Sequence, residues 1–590
     1  MRVLLIIPTL DYATEYPSFM SPHKFPTGFA YIAAALTRAG HQVFGLNPNN
    51  DTRFASQREM LSARVHQALA EHAPDLIGLG GLCVDFVFLK DCMAIIRRAA
   101  PRVPIVLGGG IVTNDAEYIL ARLRPDFCVV GEGEETIVQL AAALEQGGRD
   151  LGGISNLGYW DRGAPRFTRR DFDFPDLDGR AFPDYEPFGM RDLLDYYSWA
   201  AVLQLRYIRS EPRPMVLINA RGCPFNCTFC VHEKNPGYRA QSVERSMQEI
   251  AQLYERYRFN VLFVTDETFA TSKRRVVEFC DGIERGRRAH GWDFNWLFTT
   301  HARAALDEET LLAAKKTGLH FFSYGLESAS PTVLASMNKQ IKPTQIRDAI
   351  QLANKTRIGF GANFIFGDPA EDEDTICESM DFFVAHCRDT YLHFGWVQPY
   401  PGSRLFDRCL ERGIIRDKDA YYDGACRRPF NMTSLPDHVW FPWALAMMWR
   451  GLGHRWYQGT RATRVERETA TNPIARHLDL AIHAVTATCP DCGNEAIFRE
   501  MLDWDRPRRA ADRLRDLRAL GEKVRGWSRL GFTAELLRIH LLLATCGPIL
   551  SRQNRAQRAL AALKPKPAYP GRSFLAICRH CHTPMRIYEP

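Results

Sequence analysis

The sequence predicts an α/β chain in three parts: a doubly wound parallel sheet, a second run of alternating strands and helices, and a mainly helical C-terminal region. Three observations predict it. Short apolar runs alternate with helix-period segments across residues 1–145, the alternation returns across 214–420, and across 421–590 it gives way to helical patterns with two cysteine pairs. Uninterrupted apolar runs belong to strands buried on both faces, as in a parallel sheet sandwiched between helices.

In the first part the strand candidates are Val3–Pro8, Leu76–Leu79, Pro104–Leu107 and Phe127–Val130. Helix candidates Gly28–Ala39, Ala55–His72, Val87–Ala99 and Asp115–Arg122 lie between them. The first apolar run is too short for a signal peptide and has no small-residue cleavage pattern. Ligands of such sheets bind at the carboxyl ends of the strands. Here those ends carry Gly80-Gly81-Leu82-Cys83, Gly108-Gly109-Gly110 and Gly131-Glu132-Gly133-Glu134. Glycine lets a large flat ligand approach the backbone, although tight turns with no ligand use it equally well.

Residues 146–213, rich in Asp, Pro, Tyr and Arg without a period, read as a connector. The second alternation follows, with strands Met215–Asn219, Val261–Thr265, Phe294–Thr299, Phe321–Gly325, Phe360–Phe366 and Phe394–Gln398. Just after the first of them stands Cys223-Pro224-Phe225-Asn226-Cys227-Thr228-Phe229-Cys230. Three thiolates so closely spaced on a strand-end loop can hold one iron–sulfur cluster and leave its fourth iron open to a small chelating ligand. Structural cysteines or part of a zinc knuckle are the plainer readings, but zinc sites normally come as Cys-x2-Cys pairs.

Such pairs do occur later, as Cys489-Pro490-Asp491-Cys492 and Cys578-Arg579-His580-Cys581. Four thiolates close a tetrahedral site with no open position, which predicts a structural zinc; an auxiliary cluster or unpaired reduced cysteines are the alternatives. Arg506–Arg525 reads as a solvated helix face without aromatic residues to stack nucleobases. Phe441–Trp449 reads as core, or as a lid facing lipid or substrate. A net charge of +7 over 590 residues argues for no nucleic-acid partner. Arg538 and His540 interrupt the apolar stretch Leu536–Leu550, so no transmembrane segment is expected. Sixteen cysteines, in two tight groups plus singletons, suit metal ligation in a reducing cytoplasm.

The order Gly222-Cys223-Pro224-Phe225-x-Cys227-x-Phe229-Cys230 resembles the signature of the radical S-adenosylmethionine (SAM) enzymes, most of all their cobalamin-binding branch. Pro26-Thr27-Gly28-Phe29-Ala30-Tyr31, Ala39-Gly40-His41, Gly108-Gly109-Gly110 and Val130-Gly131-Glu132-Gly133-Glu134 are similar to motifs of that branch's cobalamin domain. The resemblance implies a Rossmann-like cobalamin-binding domain over 1–145 and a partial (βα)6 radical SAM barrel over 214–420. It implies a [4Fe–4S] cluster on Cys223, Cys227 and Cys230. SAM contacts would come from Thr265, Asp266, Glu267, Glu327, Ser328, Ile365 and Gln398. A cobalamin cradle would come from Gly81, Leu82, Gly108, Gly109, Gly110, Gly131, Glu132 and Gly133.

Two departures stand out. No Asp-x-His-x-x-Gly follows the first strand, so cobalamin is expected without a histidine on cobalt, and Ile111 stands where related sequences often have histidine. The implied activity is cleavage of SAM to the 5′-deoxyadenosyl radical, then methyl transfer from methylcobalamin to an unactivated carbon of a secondary metabolite or lipid. A reductant such as flavodoxin or ferredoxin would supply the electron. An anaerobic oxidative cyclase or rearranging enzyme uses the same cofactors without net methylation. A zinc-ribbon scaffold with a structural cluster would not cleave SAM. A methylthiotransferase would need a second cluster, and Cys83, Cys92 and Cys128 fall on separate elements.

Overall fold

Seven strands make the N-terminal sheet of the computed structural model. It describes the chain except residues 11, 13–19, 52, 149, 175, 197–207, 210, 211, 232–236, 305, 388–390, 425, 427–429, 442, 445–457, 470–480, 503–571, 582 and 583. The strands are β1 (Arg2–Ile6), β2 (Gln42–Leu46), β3 (Leu76–Gly80), β4 (Ile105–Gly108), β5 (Phe127–Val129), β6 (Leu157–Asp161) and β7 (Ala164–Phe167), in the order β2-β1-β3-β4-β5-β6-β7. The first five pair in parallel and the last two antiparallel. Side chains alternate as a doubly wound sheet requires. Val3, Leu5 and Leu76 join one core with Ala33, Leu36 and Leu140, whereas Leu4, Ile6 and Ile77 join another with Leu61, Leu89 and Ile119.

Two features depart from the sequence reading. β2 is a half-exposed edge strand, so its apolar signal is weak. The connector expected at 146–213 begins with the hairpin β6–β7, which extends the sheet. Arg162 and Gly163 turn it at φ of 51° and 84°, the paired positive angles of a two-residue hairpin loop. Further along, Tyr185, Phe188, Leu193 and Leu194 pack into the core shared with the central domain.

In the centre, β8 (Pro214–Leu217) is followed by the short clip β9 (Ala220–Arg221) and β10 (Arg239–Ala240), which flanks the cysteine loop. Then come β11 (Val261–Val264), β12 (Asn295–His301), β13 (Leu319–Glu327), β14 (Gly359–Phe366) and β15 (Tyr391–Trp396). The sheet β8-β11-β12-β13-β14-β15 is parallel throughout and follows chain order, the expected partial barrel.

The C-terminal region corrects the helical expectation among its described residues. β16 (Gln458–Glu468), β17 (Ile482–Thr488), β18 (Glu495–Leu502), β19 (Ser573–Ile577) and β20 (Pro584–Tyr588) form a sheet ordered β18-β17-β16-β20-β19. The central strand β16 reads QGTRATRVERE and, among its described side chains, buries only Ala462, so it shows no apolar run. Arg506–Arg525 and Leu536–Leu550 lie outside the described residues. Phe441 and Trp443 are core residues, and 445–449 lie outside the described set. No described helix is long and apolar enough to cross a membrane.

Candidate functional site

The cysteine loop leaves β9 through Gly222, at φ 80°, where a side chain would strike the carbonyl of Gly237; only glycine tolerates both conditions. Hydrogen bonds on the loop's main chain, one of them from a side-chain amide, then pin it. Thr228 N–H donates to Met337 O at 2.9 Å, Leu405 N–H to Thr228 O at 3.0 Å, and the Asn338 amide to Asn226 O at 2.8 Å. Cys223 and Cys227 are half-buried and Cys230 is exposed. Burial, with a smaller push from the other two thiols, raises the Cys223 thiol to about 11. Three neighbouring thiols on one pinned loop, costly to ionise unless a metal balances them, fit a cluster with three protein ligands.

Charged groups frame these thiols. Exposed Glu267 acts on Cys223 and Cys230. Glu327 sits at φ 66° where β13 bulges, a costly backbone state of the kind found at ligand sites. It is buried with Lys339, Nζ to Oε1 2.9 Å, and both act on Cys227. Carboxylates and an ammonium around an open iron suit a zwitterionic amino-acid group. His301, at the end of β12, stacks on Phe225 with ring centroids 3.8 Å apart. Burial, then Lys339 and Arg303, lowers it to about 3, so it is neutral. Sequence reasoning missed both residues. The strand-end rule would have flagged His301, but Lys339 lies in a turn after the helix Pro331–Ser336, where no such rule looks.

Other expected SAM contacts are spread more widely. Thr265 follows β11 and bonds Leu217 O through its N–H at 3.0 Å. Gln398 is buried beyond β15, and Ile365 lies on β14 packed among Val397, Leu405 and Phe406. Two of the residues expected at SAM, Asp266 and Ser328, are turned inward and hold the frame. Asp266 is buried and accepts from Asn219 N–H (2.8 Å), Ala220 N–H (3.0 Å) and the Asn219 amide (2.7 Å), tying the end of β8 to that of β11. Ser328 is buried against Ser379, Oγ to Oγ 3.0 Å. Asp266→Ala would strand two buried backbone N–H groups at about 1–3 kcal/mol each. A drop in melting temperature with loss of cluster loading is therefore expected; unchanged stability with weaker SAM binding alone would make Asp266 a ligand contact and not a frame residue.

In the N-terminal domain the glycine turns lie on each other. A Cβ on Gly109, at φ 84°, would come within 2.9 Å of Gly81 O, and Ile111 N–H donates to Gly81 O at 3.0 Å. At Gly108 a Cβ would meet nothing nearer than 3.8 Å. Beside them Leu82 is 59% exposed, an unusual state for a large apolar residue and one that suits a flat ligand face. Gly133 packs against Ile32 and Val129, and Gly131 N–H donates to Thr113 Oγ1 at 2.9 Å. Glu132 is engaged elsewhere: it pairs with Arg221 at 2.6 Å and with Arg239, while Glu134 pairs with Arg221 and with Arg180 at 3.8 Å.

Arg221 is two residues before Cys223, so these ion pairs fasten the cysteine loop to the end of β5. A second fastening runs from the turn after β15. Gly402 rests on Asn114, Lys418 and Tyr422 hold Asp115 at 2.7 and 2.8 Å, and Tyr118 donates to Asp419 at 2.6 Å. The carboxyl ends of the two sheets therefore face each other. Cys489, Cys492, Cys578 and Cys581 converge separately, in the C-terminal sheet. Cys92 and Cys128 are buried in the N-terminal core.

The chain matches the B12 binding domain over residues 24–141 and the radical SAM superfamily over 218–383. An uncharacterised methyltransferase of Pyrococcus horikoshii is 26% identical over 419 residues, 70% of this chain and 84% of that protein. An anaerobic magnesium-protoporphyrin IX monomethyl ester cyclase of Rubrivivax gelatinosus is 25% identical over 439 residues, 71% and 72% of the two chains. Among solved structures, the radical S-adenosylmethionine methyltransferase TsrM of Kitasatospora setae, with cobalamin and a [4Fe–4S] cluster bound, shares the fold. It gives a TM-score of 0.53 at 17% identity, over 88% of this chain and 90% of that one.

Proposed function

We propose that this chain, a cobalamin-dependent radical SAM enzyme with an N-terminal B12 binding domain, is a C-methyltransferase acting on an unactivated carbon of a small secondary metabolite or lipid. The supporting observation is the facing pair of strand ends, fastened by Arg221 to Glu132 and by Lys418 to Asp115. This arrangement brings one substrate within reach of both cofactors. When bound, the cluster delivers an electron to SAM and the corrinoid supplies a methyl group; the protein orients the reactants and excludes water.

In this reading Cys223, Cys227 and Cys230 hold the cluster, and Glu267, Glu327 and Lys339 orient the amino-acid end of SAM. Lys339 is locked by its buried ion pair, so its charge costs little reorganisation at the moment of reaction. Thr265, Ile365 and Gln398 frame the rest of SAM, and Gly81, Leu82, Gly108, Gly109, Gly110, Gly131 and Gly133 form the corrinoid cradle. The setting is a reducing cytoplasm with flavodoxin or ferredoxin as electron donor. Ring formation without net methylation is the second reading, favoured by the cyclase relatives.

Products separate the two readings. Reduced, cluster-loaded protein with hydroxocobalamin and SAM, and no other substrate, should release S-adenosylhomocysteine only when the corrinoid is present. With substrate, 5′-deoxyadenosine should accompany it. 5′-Deoxyadenosine formed with no S-adenosylhomocysteine under either condition would exclude methyl transfer and leave the cyclase reading.

A further inference from the structure

Cys489 and Cys492 bracket the tip between β17 and β18, and Cys578 and Cys581 the tip between β19 and β20. The sheet order and strand directions put both tips at one end, where the four thiols lie within 4.8 Å of one another. The tips are built alike. Asp491 N–H donates to Cys489 Sγ and His580 N–H to Cys578 Sγ, both at 3.4 Å, and the Asn494 amide donates to Cys492 Sγ at 3.4 Å. Donors aimed at sulfur favour the thiolate that a metal requires.

We propose that these four cysteines bind one zinc ion, which staples the two hairpins into a plug on the floor of the radical SAM barrel. Sulfur spacing selects a single ion. A zinc–sulfur bond of about 2.3 Å gives a tetrahedron edge of about 3.8 Å; Cys489–Cys581 and Cys492–Cys578 both stand at 3.6 Å. Thiolates on an iron–sulfur cube each bind a different iron and stand farther apart, so an auxiliary cluster fits poorly. Zinc also outranks ferrous iron in affinity for such a site. Binding exchanges four S–H protons, released to water, for four Zn–S bonds, with no redox change.

The surroundings fit a dianionic complex. Arg357, just before β14, pairs with Asp491 at 3.2 Å. Lys315, just before β13, donates to Thr356 O and Arg357 O. Above the metal end, Val485, Phe498 and Phe574 share one core with Val261, Leu297 and Phe321. Those three stand near the amino ends of β11, β12 and β13, opposite the cysteine loop. The site is closed, so its role is to hold the plug that keeps water out of the barrel from below.

Metal analysis tests the proposal on full-length protein purified without reconstitution from cells supplied with both iron and zinc. About one zinc per chain is expected, and it should persist when Cys223, Cys227 and Cys230 are all replaced by Ala, so the outcome is independent of the catalytic reading. Cys489→Ser and Cys578→Ser should each lose it. Because either variant can fail to fold, wild-type protein exchanged into cobalt(II) gives a second measurement: tetrahedral d–d bands with thiolate charge transfer are expected. Zinc-free wild type, iron and sulfide that persist in the triple-alanine variant, or a cobalt spectrum with oxygen or nitrogen ligands would each overturn the assignment.

Discussion

Replacing Cys223, Cys227 and Cys230 together with Ala is expected to abolish both the reconstituted cluster spectrum and all SAM cleavage. The loss should be complete, because no other described thiol belongs to this loop: the remaining described cysteines lie in or against the cores or in the C-terminal tetrad. The fold should survive, since the loop is held by hydrogen bonds from the Thr228 and Leu405 N–H groups and the Asn338 side-chain amide, none of which uses a thiol. A variant that still takes up a cluster and releases 5′-deoxyadenosine would remove the cysteine loop from the active site.

Leu82→Asp should leave the protein folded and weaken corrinoid binding by about 10- to 100-fold. Leu82 is 59% exposed, so the free protein loses little packing. Covering a leucine with a ligand face gives about 1.5–3 kcal/mol, and each 1.4 kcal/mol is about tenfold in affinity. Enlarging Gly109 is a poorer test, because its positive φ and its contact with Gly81 make the turn itself fail. The strand ends Gly80–Cys83, Gly108–Ile111 and Val130–Glu135 contain no histidine. With neither a histidine nor the cofactor's own base on cobalt, the cob(II)alamin electron paramagnetic resonance spectrum of the loaded enzyme should lack nitrogen superhyperfine splitting. A nitrogen-split spectrum would put a histidine or the cofactor's own base on cobalt and refute binding without a lower nitrogen ligand, and unchanged affinity in Leu82→Asp would move the cradle away from β3.

Local features can be read from the order of residues alone. Buried parallel strands need apolar runs on both faces, so β1, β3, β4 and the barrel strands announce themselves in composition. A cluster loop needs its ligands within reach of one turn, so Cys223, Cys227 and Cys230 are readable as spacing. The same holds for each Cys-x2-Cys pair, though not for their meeting, which depends on β16 joining two hairpins. β16 itself is polar along most of its length, and an exposed strand carries no apolar period. Long-range packing settles which charged groups are spent on the frame and which face the site. Glu132 was readable as a strand-end residue, but its partner Arg221 lies 89 residues on, beyond any local pattern. Lys339 reaches Glu327 and the thiols only because a bulge in β13 and the turn after Ser336 fold onto one point. Asp266 stands beside exposed Glu267 yet points inward to Asn219 and Ala220. Adjacent residues at a strand end face opposite sides, and packing decides which side is the core.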